Sequence, residues 1–320
     1  MKKLILIDGN AILHRAYHAL PPLTSKDGIV VNAVYGFFSM FLKILEDQKP
    51  DFIIVCFDRK APTFRKEMFV GYQAKRPKMS DDLVPQVKFV HEILEKAKVE
   101  IFEVDGYEAD DLIGTIANQS QKSKIKNQKE GIEVFIVSGD RDLLQLVNSH
   151  VKMIAPVTGL TNMIIFDEAK VSEKFRIKPA QMVDYKALVG DASDNYPGVA
   201  GIGPKTASIL LKEYESLENV YESLEKIKAK NPNLALKLAE GAESAGLAQK
   251  LAGIVLDAPI TLDIKKCSMQ DFDKEGLKKE FEKYGFKSLL KRFNNKQQEI
   301  SDKKKETRNK NEEAKQMELL

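Results

Sequence analysis

Up to about residue 170 the apolar positions fall into two kinds of run that alternate along the chain. Four runs are short, unbroken and rich in Ile and Val: LILID (4–8), FIIVCFD (52–58), VEIFEV (99–104) and EVFIVSGD (133–140). They are flat rather than alternating, the pattern of strands covered on both faces. Between them, AVYGFFSMFLKILED (33–47) and DDLVPQVKFVHEILEKA (81–97) carry apolar residues at helical spacing. Strand–helix alternation of this kind predicts an α/β architecture, a mostly parallel sheet flanked by helices. VKMIAP and NMIIF, within 151–166, predict an added hairpin or edge strand.

The pattern changes near residue 171. PAQMVDYKALVG, KTASILLKEY, SLENVYESLEKI, GLAQKLAGIVL and KEGLKKEFEKYG are helical patterns joined by Gly and Pro turns, with no convincing strand among them. Residues 171–290 therefore read as a small helical domain. From 291 the chain is poor in large apolar residues and mixed in charge, which predicts a flexible or frayed helical tail.

Composition narrows the class. A chain of 320 residues suits about two domains, and 43% hydrophobic with 30% charged residues can bury a core and stay soluble. No apolar run approaches the roughly 18 residues that cross a bilayer. The N-terminal MKKLILIDGN starts like an export signal, but Asp8 breaks it after four apolar residues and no cleavage site follows, so export is not expected. Two distant cysteines and four scattered histidines exclude a structural zinc site and suit a reducing cytoplasm. A net charge of +3 does not announce nucleic acid, so any such case rests on local patches.

Each predicted strand is followed by acid: Asp8, Asp58, then Glu108, Asp110 and Asp111 of YEADDLIG, then Asp140 and Asp142. Taken singly, these read equally well as helix caps or first-turn acids. In an open parallel sheet, however, ligands bind beyond the carboxyl ends of the strands, so all seven should meet on one edge. Two like charges ~4 Å apart repel by roughly 4 kcal/mol at an effective dielectric of 20, against a total stability of about 5–15 kcal/mol. Divalent cations relieve that repulsion. An all-oxygen site suits Mg²⁺ or Mn²⁺, and two such ions about 4 Å apart form a clamp for phosphodiester cleavage. A second acidic pair, Asp191 and Asp194 in GDASDN, is balanced between a plain loop and a part of the site.

Two further stretches point to nucleic acid. YPGVAGIGPKTASILL (196–211) is not a P-loop, because Pro204 separates Gly203 from Lys205 and no strand precedes it. It reads as a helical hairpin in which Gly201 and Gly203 admit a DNA backbone. The N–H groups at the helix start, with Lys205 and Thr206, then meet phosphate. In DRKAPTFRKEMFVGYQAKRPK (58–78), Arg59, Lys60, Arg65, Lys66, Lys75, Arg76 and Lys78 interleave with Phe64, Phe69 and Tyr72, which suits single-stranded nucleic acid. A charged solvent-facing helix is the alternative. Arg15, Tyr17 and His18 could reach the same entrance.

LIDGN, HRAYHAL, CFDRKAPTFRKE, GYEADDLIG, VSGDRDLLQLV and VGDASDNYPGVAGIGPKTA, in this order over residues 1–290, make the chain resemble the 5′→3′ exonuclease and flap endonuclease family. That family includes the N-terminal nuclease domain of bacterial DNA polymerase I. The resemblance implies a PIN-like nuclease domain (1–170), a helical duplex-binding domain with a helix–three-turn–helix (171–290) and a charged tail (291–320). It implies Mg²⁺- or Mn²⁺-dependent cleavage of 5′-flap and RNA-primed DNA in replication and repair. The setting implied is the bacterial cytoplasm at the nucleoid, with no membrane contact. The protein would be a monomeric, standalone nuclease coupled to a separate DNA polymerase. Asp8, Asp58, Glu108, Asp110, Asp111, Asp140, Asp142, Asp191 and Asp194 match the family's acidic positions, and Arg15 a basic residue facing the scissile phosphate. The glycine turn matches a hairpin that often holds K⁺. One departure concerns the arch motif Y-K-x-x-R, here YQAKR, with Gln73 in place of lysine. Lys75, two residues on, is expected to take over the catalytic role if the arch is not a regular helix. A non-catalytic DNA-junction binder is the alternative, disfavoured by the intact acidic set.

Overall fold

The computed structural model describes residues 1–122 and 131–292. Six strands form one sheet: β1 (Lys2–Asp8), β2 (Phe52–Cys56), β3 (Glu100–Phe102), β4 (Ile132–Val137), β5 (Val151–Thr158) and β6 (Asn162–Phe166). Their spatial order is β3-β2-β1-β4-β5-β6. β1 to β5 are mutually parallel and β6 runs antiparallel to β5. Residues 151–166 thus supply an inner strand as well as the edge. The direction of strand addition reverses between β1 and β4, which leaves a crevice beyond their carboxyl ends.

The flat apolar runs are explained by burial on two sides. In β1, Leu4 and Leu6 enter one core, while Ile5 and Ile7 enter the other. The second core is covered by α1 (Gly9–Ala19), α2 (Asn32–Gln48) and α4 (Val84–Lys96); in α2, Phe37, Phe38 and Phe41 form a ring cluster. Between them lies the short α3 (Phe64–Met68). The first core is covered by α5 (Ala109–Lys122) through Leu112, Ile113 and Ile116, and it runs on into the helical region.

That region comprises α6 (Glu168–Phe175), α7 (Met182–Val189), α8 (Pro204–Tyr214), α9 (Leu217–Glu222), α10 (Leu224–Lys230), α11 (Pro232–Glu240) and α12 (Ala242–Ala252). It holds one pairing the apolar pattern did not predict: Gly190–Asp191 against Tyr196–Pro197. The approach is so close that a Cβ on Gly198 would stand 2.3 Å from the Gly190 nitrogen. Gly190 itself has φ +77°, so glycine at both places is what closes the loop that carries Asp191 and Asp194.

The apolar pattern grouped residues 171–290 as one helical domain. After α12 the chain returns to the sheet. The Ile53 N–H donates to the Cys267 carbonyl (3.0 Å), and the Met269 N–H to that of Asp51 (2.8 Å). α13 (Lys274–Tyr284) then buries Leu277, Phe281 and Tyr284 in the second core, against α2 and α4. Its apolar spacing was legible, but periodicity identifies a buried face and not the surface that buries it. The predicted tail lies outside the described residues, apart from its first two. Among those described, no helix is long and apolar enough to cross a membrane.

Candidate active site

A cavity of about 560 Å³ opens at the switch point. Seven carboxylates line it: Asp8, Asp58, Glu108, Asp110, Asp140, Asp142 and Asp194. Asn10, His14, Lys60, Lys66, Gln73 and Arg76 share the lining. Asp8 both caps α1 and lines the cavity. One oxygen accepts the Ala11 N–H at the start of α1 (2.9 Å), and the other accepts the Ser138 hydroxyl (2.6 Å). Asp58 accepts the Ala109 N–H (2.7 Å), and Asp140 that of Asp142 (2.9 Å). Asp110 receives no hydrogen bond among the described residues.

Burial and mutual repulsion disfavour charge here. Burial pushes Asp8 up to about 7 against its bonds to Ser138 and Ala11, with Asp58 and Asp140 adding to the rise. Burial likewise raises Glu108 to about 7, although Arg65 opposes it. Asp110 lies well above the carboxylate range, through burial and then the charges of Asp140, Asp8 and Asp58. Burial also raises Asp58 and Asp140. An acid whose pKa is higher folded than unfolded (about 3.9 for Asp, 4.3 for Glu) favours the protonated native state. Stability is then highest below the unfolded values and falls as pH climbs toward 7. In EDTA the melting temperature is expected to drop between pH 5 and 8, and added Mg²⁺ should restore most of the loss at pH 8. A flat melting profile in EDTA across that range would contradict the assignment.

Asp111 is placed apart from the other expected ligands. It is fully buried and does not line the cavity. A carboxylate has about four acceptor positions, and all four are taken. Arg65 donates two bonds of 2.8 Å, the Val255 N–H one of 2.9 Å and the Glu108 N–H one of 3.1 Å. In this arrangement Asp111 keeps no free acceptor position. Arg65, expected on DNA, is 2% exposed; besides Asp111 it binds Glu108 and the carbonyls of Leu251 and Gly253. The pair clasps the start of α5 to the return segment after α12.

Other expected contacts also go elsewhere. Tyr72 and Arg65 both line the cavity, but Tyr72 is only 4% exposed, with its hydroxyl on Glu108 and Asp194. The guanidinium of Arg15 donates to the Val157 and Gly159 carbonyls, and the Tyr17 hydroxyl to Asp82. Neither lines the cavity; His14, one residue before Arg15, does. The arch is irregular, with Gln73 at φ +55°. Yet Gln73 and Arg76 face the cavity, while Lys75 is exposed and outside its lining. The left-handed residue at 73 interrupts any regular helix there.

Asp142, Asp191 and Asp194 form a second cluster, with carboxylate oxygens within 4.8 Å of one another. Arg76 pairs with Asp194 at 2.5 Å. Lys186, which the sequence reading passed over inside a helical pattern, contacts both Asp142 and Asp191. Burial opposes the charge of Asp191, but bonds from Lys186 and Ser193 outweigh it and hold the group down to about 2. In the glycine turn, Gly201 has φ +75°, and Gly203 precedes α8 with no side-chain cap. Gly201, Gly203 and Lys205 are exposed and Thr206 is half-buried.

Comparison with known proteins fits this arrangement. The family model described as 5′-3′ exonuclease, N-terminal resolvase-like domain, matches residues 3–176. The model described as 5′-3′ exonuclease, C-terminal SAM fold, matches residues 177–275. DNA polymerase I of Caldicellulosiruptor bescii is 41% identical over 293 residues, covering 91% of this chain and 33% of that protein. The chain therefore spans about a third of the length of such polymerase relatives. The 5′-3′ exonuclease of Aquifex aeolicus is 38% identical over 291 residues, 91% of this chain and 95% of that one. Among solved structures, T5 5′-exonuclease with bound divalent metal ions (zinc) aligns with a TM-score of 0.62 at 18% identity, over 91% of this chain and 99% of that one. The catalytic core of Rad2 in complex with DNA substrate aligns at 0.52 and 16%, over 88% and 86%. At those identities the shared property is the fold.

Proposed function

Because the chain belongs to the 5′-3′ exonuclease family, we propose that it is a divalent-metal-dependent nuclease that hydrolyses phosphodiester bonds as a 5′→3′ exonuclease and 5′-flap endonuclease. The observation that carries this reading is the convergence of seven carboxylates on one cavity at the carboxyl ends of the strands, rimmed by Lys60, Lys66 and Arg76. Asp110, half-buried among other acids and without a hydrogen bond among the described residues, is the group a cation would satisfy. The all-carboxylate donor set suits Mg²⁺ or Mn²⁺. Asp8, Asp58, Glu108, Asp110 and Asp140 would hold one ion, and Asp142, Asp191 and Asp194 another. When bound, such ions make water more acidic and neutralise charge on the phosphate.

The chain's own cations do the rest. Lys60, Lys66 and Arg76 draw a phosphodiester toward a cavity that would otherwise repel it. Gln73 offers a hydrogen bond but no charge at the place where the family's lysine stands. At the glycine turn, N–H groups opening α8, with Lys205 and Thr206, hold the duplex backbone. K⁺ is proposed at this turn, where the Gly201 carbonyl already accepts the Lys237 ammonium (3.4 Å). RNA-primed DNA is included as substrate, and the enzyme works as a cytoplasmic monomer alongside a polymerase.

Labelled 5′-flap DNA tests the reading. Cleavage in Mg²⁺ that stops in EDTA is expected, and tight flap binding without cleavage would favour a junction binder. Gly203→Val tests the hairpin. Its φ is −101° and a Cβ there meets nothing within 4 Å, so the fold should accept valine. The bulk should nevertheless hold phosphate off the α8 N–H groups, which weakens duplex binding with little change in salt slope because no charge is lost. Unchanged affinity in the folded variant would contradict the assignment.

A further inference from the structure

The two acidic clusters are neutralised differently. In the first cluster only Glu108 has an ion pair among the described residues, with Arg65 at 3.2 Å, while Asp8, Asp58, Asp110 and Asp140 have none. In the second cluster the chain supplies its own cations. Lys186 projects from α7, five residues before Asp191, and its ammonium touches Asp142 as well as Asp191. All three side chains are 14% exposed or less, so the contact is shielded from solvent. Arg76 takes Asp194. An ammonium has three donors and no acceptor, so it occupies the same carboxylate oxygens that a metal ion would need, and its charge opposes an incoming cation.

We propose that Lys186 is a built-in counter-ion of the second cluster: it holds Asp142 and Asp191 together in the metal-free protein and lowers their affinity for divalent metal, so that the first cluster loads before the second. The inference rests on the metal-dependent reading above. Lys186 is a positioning residue here, acting through the carboxylates it holds. The order of loading then depends on which carboxylates already have a cation from the chain, and not on how many acids each cluster contains.

Mn²⁺ titration of the DNA-free protein, followed by calorimetry and by the electron paramagnetic resonance of free Mn²⁺, tests this without reference to activity. The parent is expected to bind in two classes, the second much weaker. Lys186→Met should tighten the second class by at least about tenfold, because one unit charge at contact distance opposes metal by that order even near a protein surface. Lys186→Arg should keep the parent's split. Lys186→Met with Asp191→Asn should lose the gain. If Lys186→Met melts early, Lys186→Gln, which keeps hydrogen-bond donors without charge, should give the same tightening. Two classes with parent affinities in both neutral variants would overturn this inference alone. Absence of Mn²⁺ binding by parent and variants would remove the metal-dependent reading and this inference together.

Discussion

Asp110→Asn is expected to abolish cleavage, with a single-turnover rate on 5′-flap DNA in saturating Mg²⁺ reduced by about 10³-fold or more, equivalent to roughly 4 kcal/mol of transition-state stabilisation. Asp110 lines the cavity, accepts no hydrogen bond among the described residues and is surrounded by Asp8, Asp58 and Asp140. Its carboxylate has no evident structural partner to lose. Asparagine keeps the shape and removes one of several repelling charges, so the variant should melt no lower than the parent in EDTA. Flap affinity should stay within a few-fold, because the contacts proposed for DNA lie on the rim and in the hairpin. Turnover within tenfold of the parent would remove Asp110 from the essential set.

Its neighbour should behave in the opposite way. Asp111→Ala is expected to cost about 3–5 kcal/mol of stability, the usual consequence of stranding one member of a buried ion pair. Arg65 is 2% exposed and cannot turn to solvent for compensation. The melting temperature should fall by at least roughly 6 °C, taking about 2 °C per kcal/mol for a large domain. The Val255 and Glu108 N–H groups would lose their acceptor too, which loosens the join between α5 and the return segment. Mn²⁺ binding to the folded fraction should persist. A variant that melts within 2 °C of the parent and has lost metal would restore Asp111 as a ligand.

Much of this was legible in the chain itself. Strands covered on both faces need apolar side chains at every position, so β1, β2 and β4 stand out from any half-exposed element. Acid after each of the four predicted strands, together with the rule that ligands gather at strand carboxyl ends, points to the edge where the cavity opens. The ordered motifs indicated the family, because each is tied to a backbone shape or a charge that few alternatives satisfy.

What the linear pattern could not supply was direction. Asp110 and Asp111 are adjacent in α5, where successive side chains diverge by about 100°. One enters the cavity and the other meets Arg65, a residue 46 positions earlier. Arg65 and Tyr72 looked like an open nucleic-acid surface, since basic and aromatic residues interleave there, but both turn inward to satisfy buried acids. α13 shows a clear apolar face in sequence, yet it packs on the sheet domain and not on the helices that precede it. Lys186 carries no motif at all; its contact with Asp142, 44 residues away, exists only because α7 brings the two together. Local spacing encodes which residues share a face. Which charges meet, and whether a carboxylate still has a lone pair for a metal, is decided by packing between segments distant in the chain.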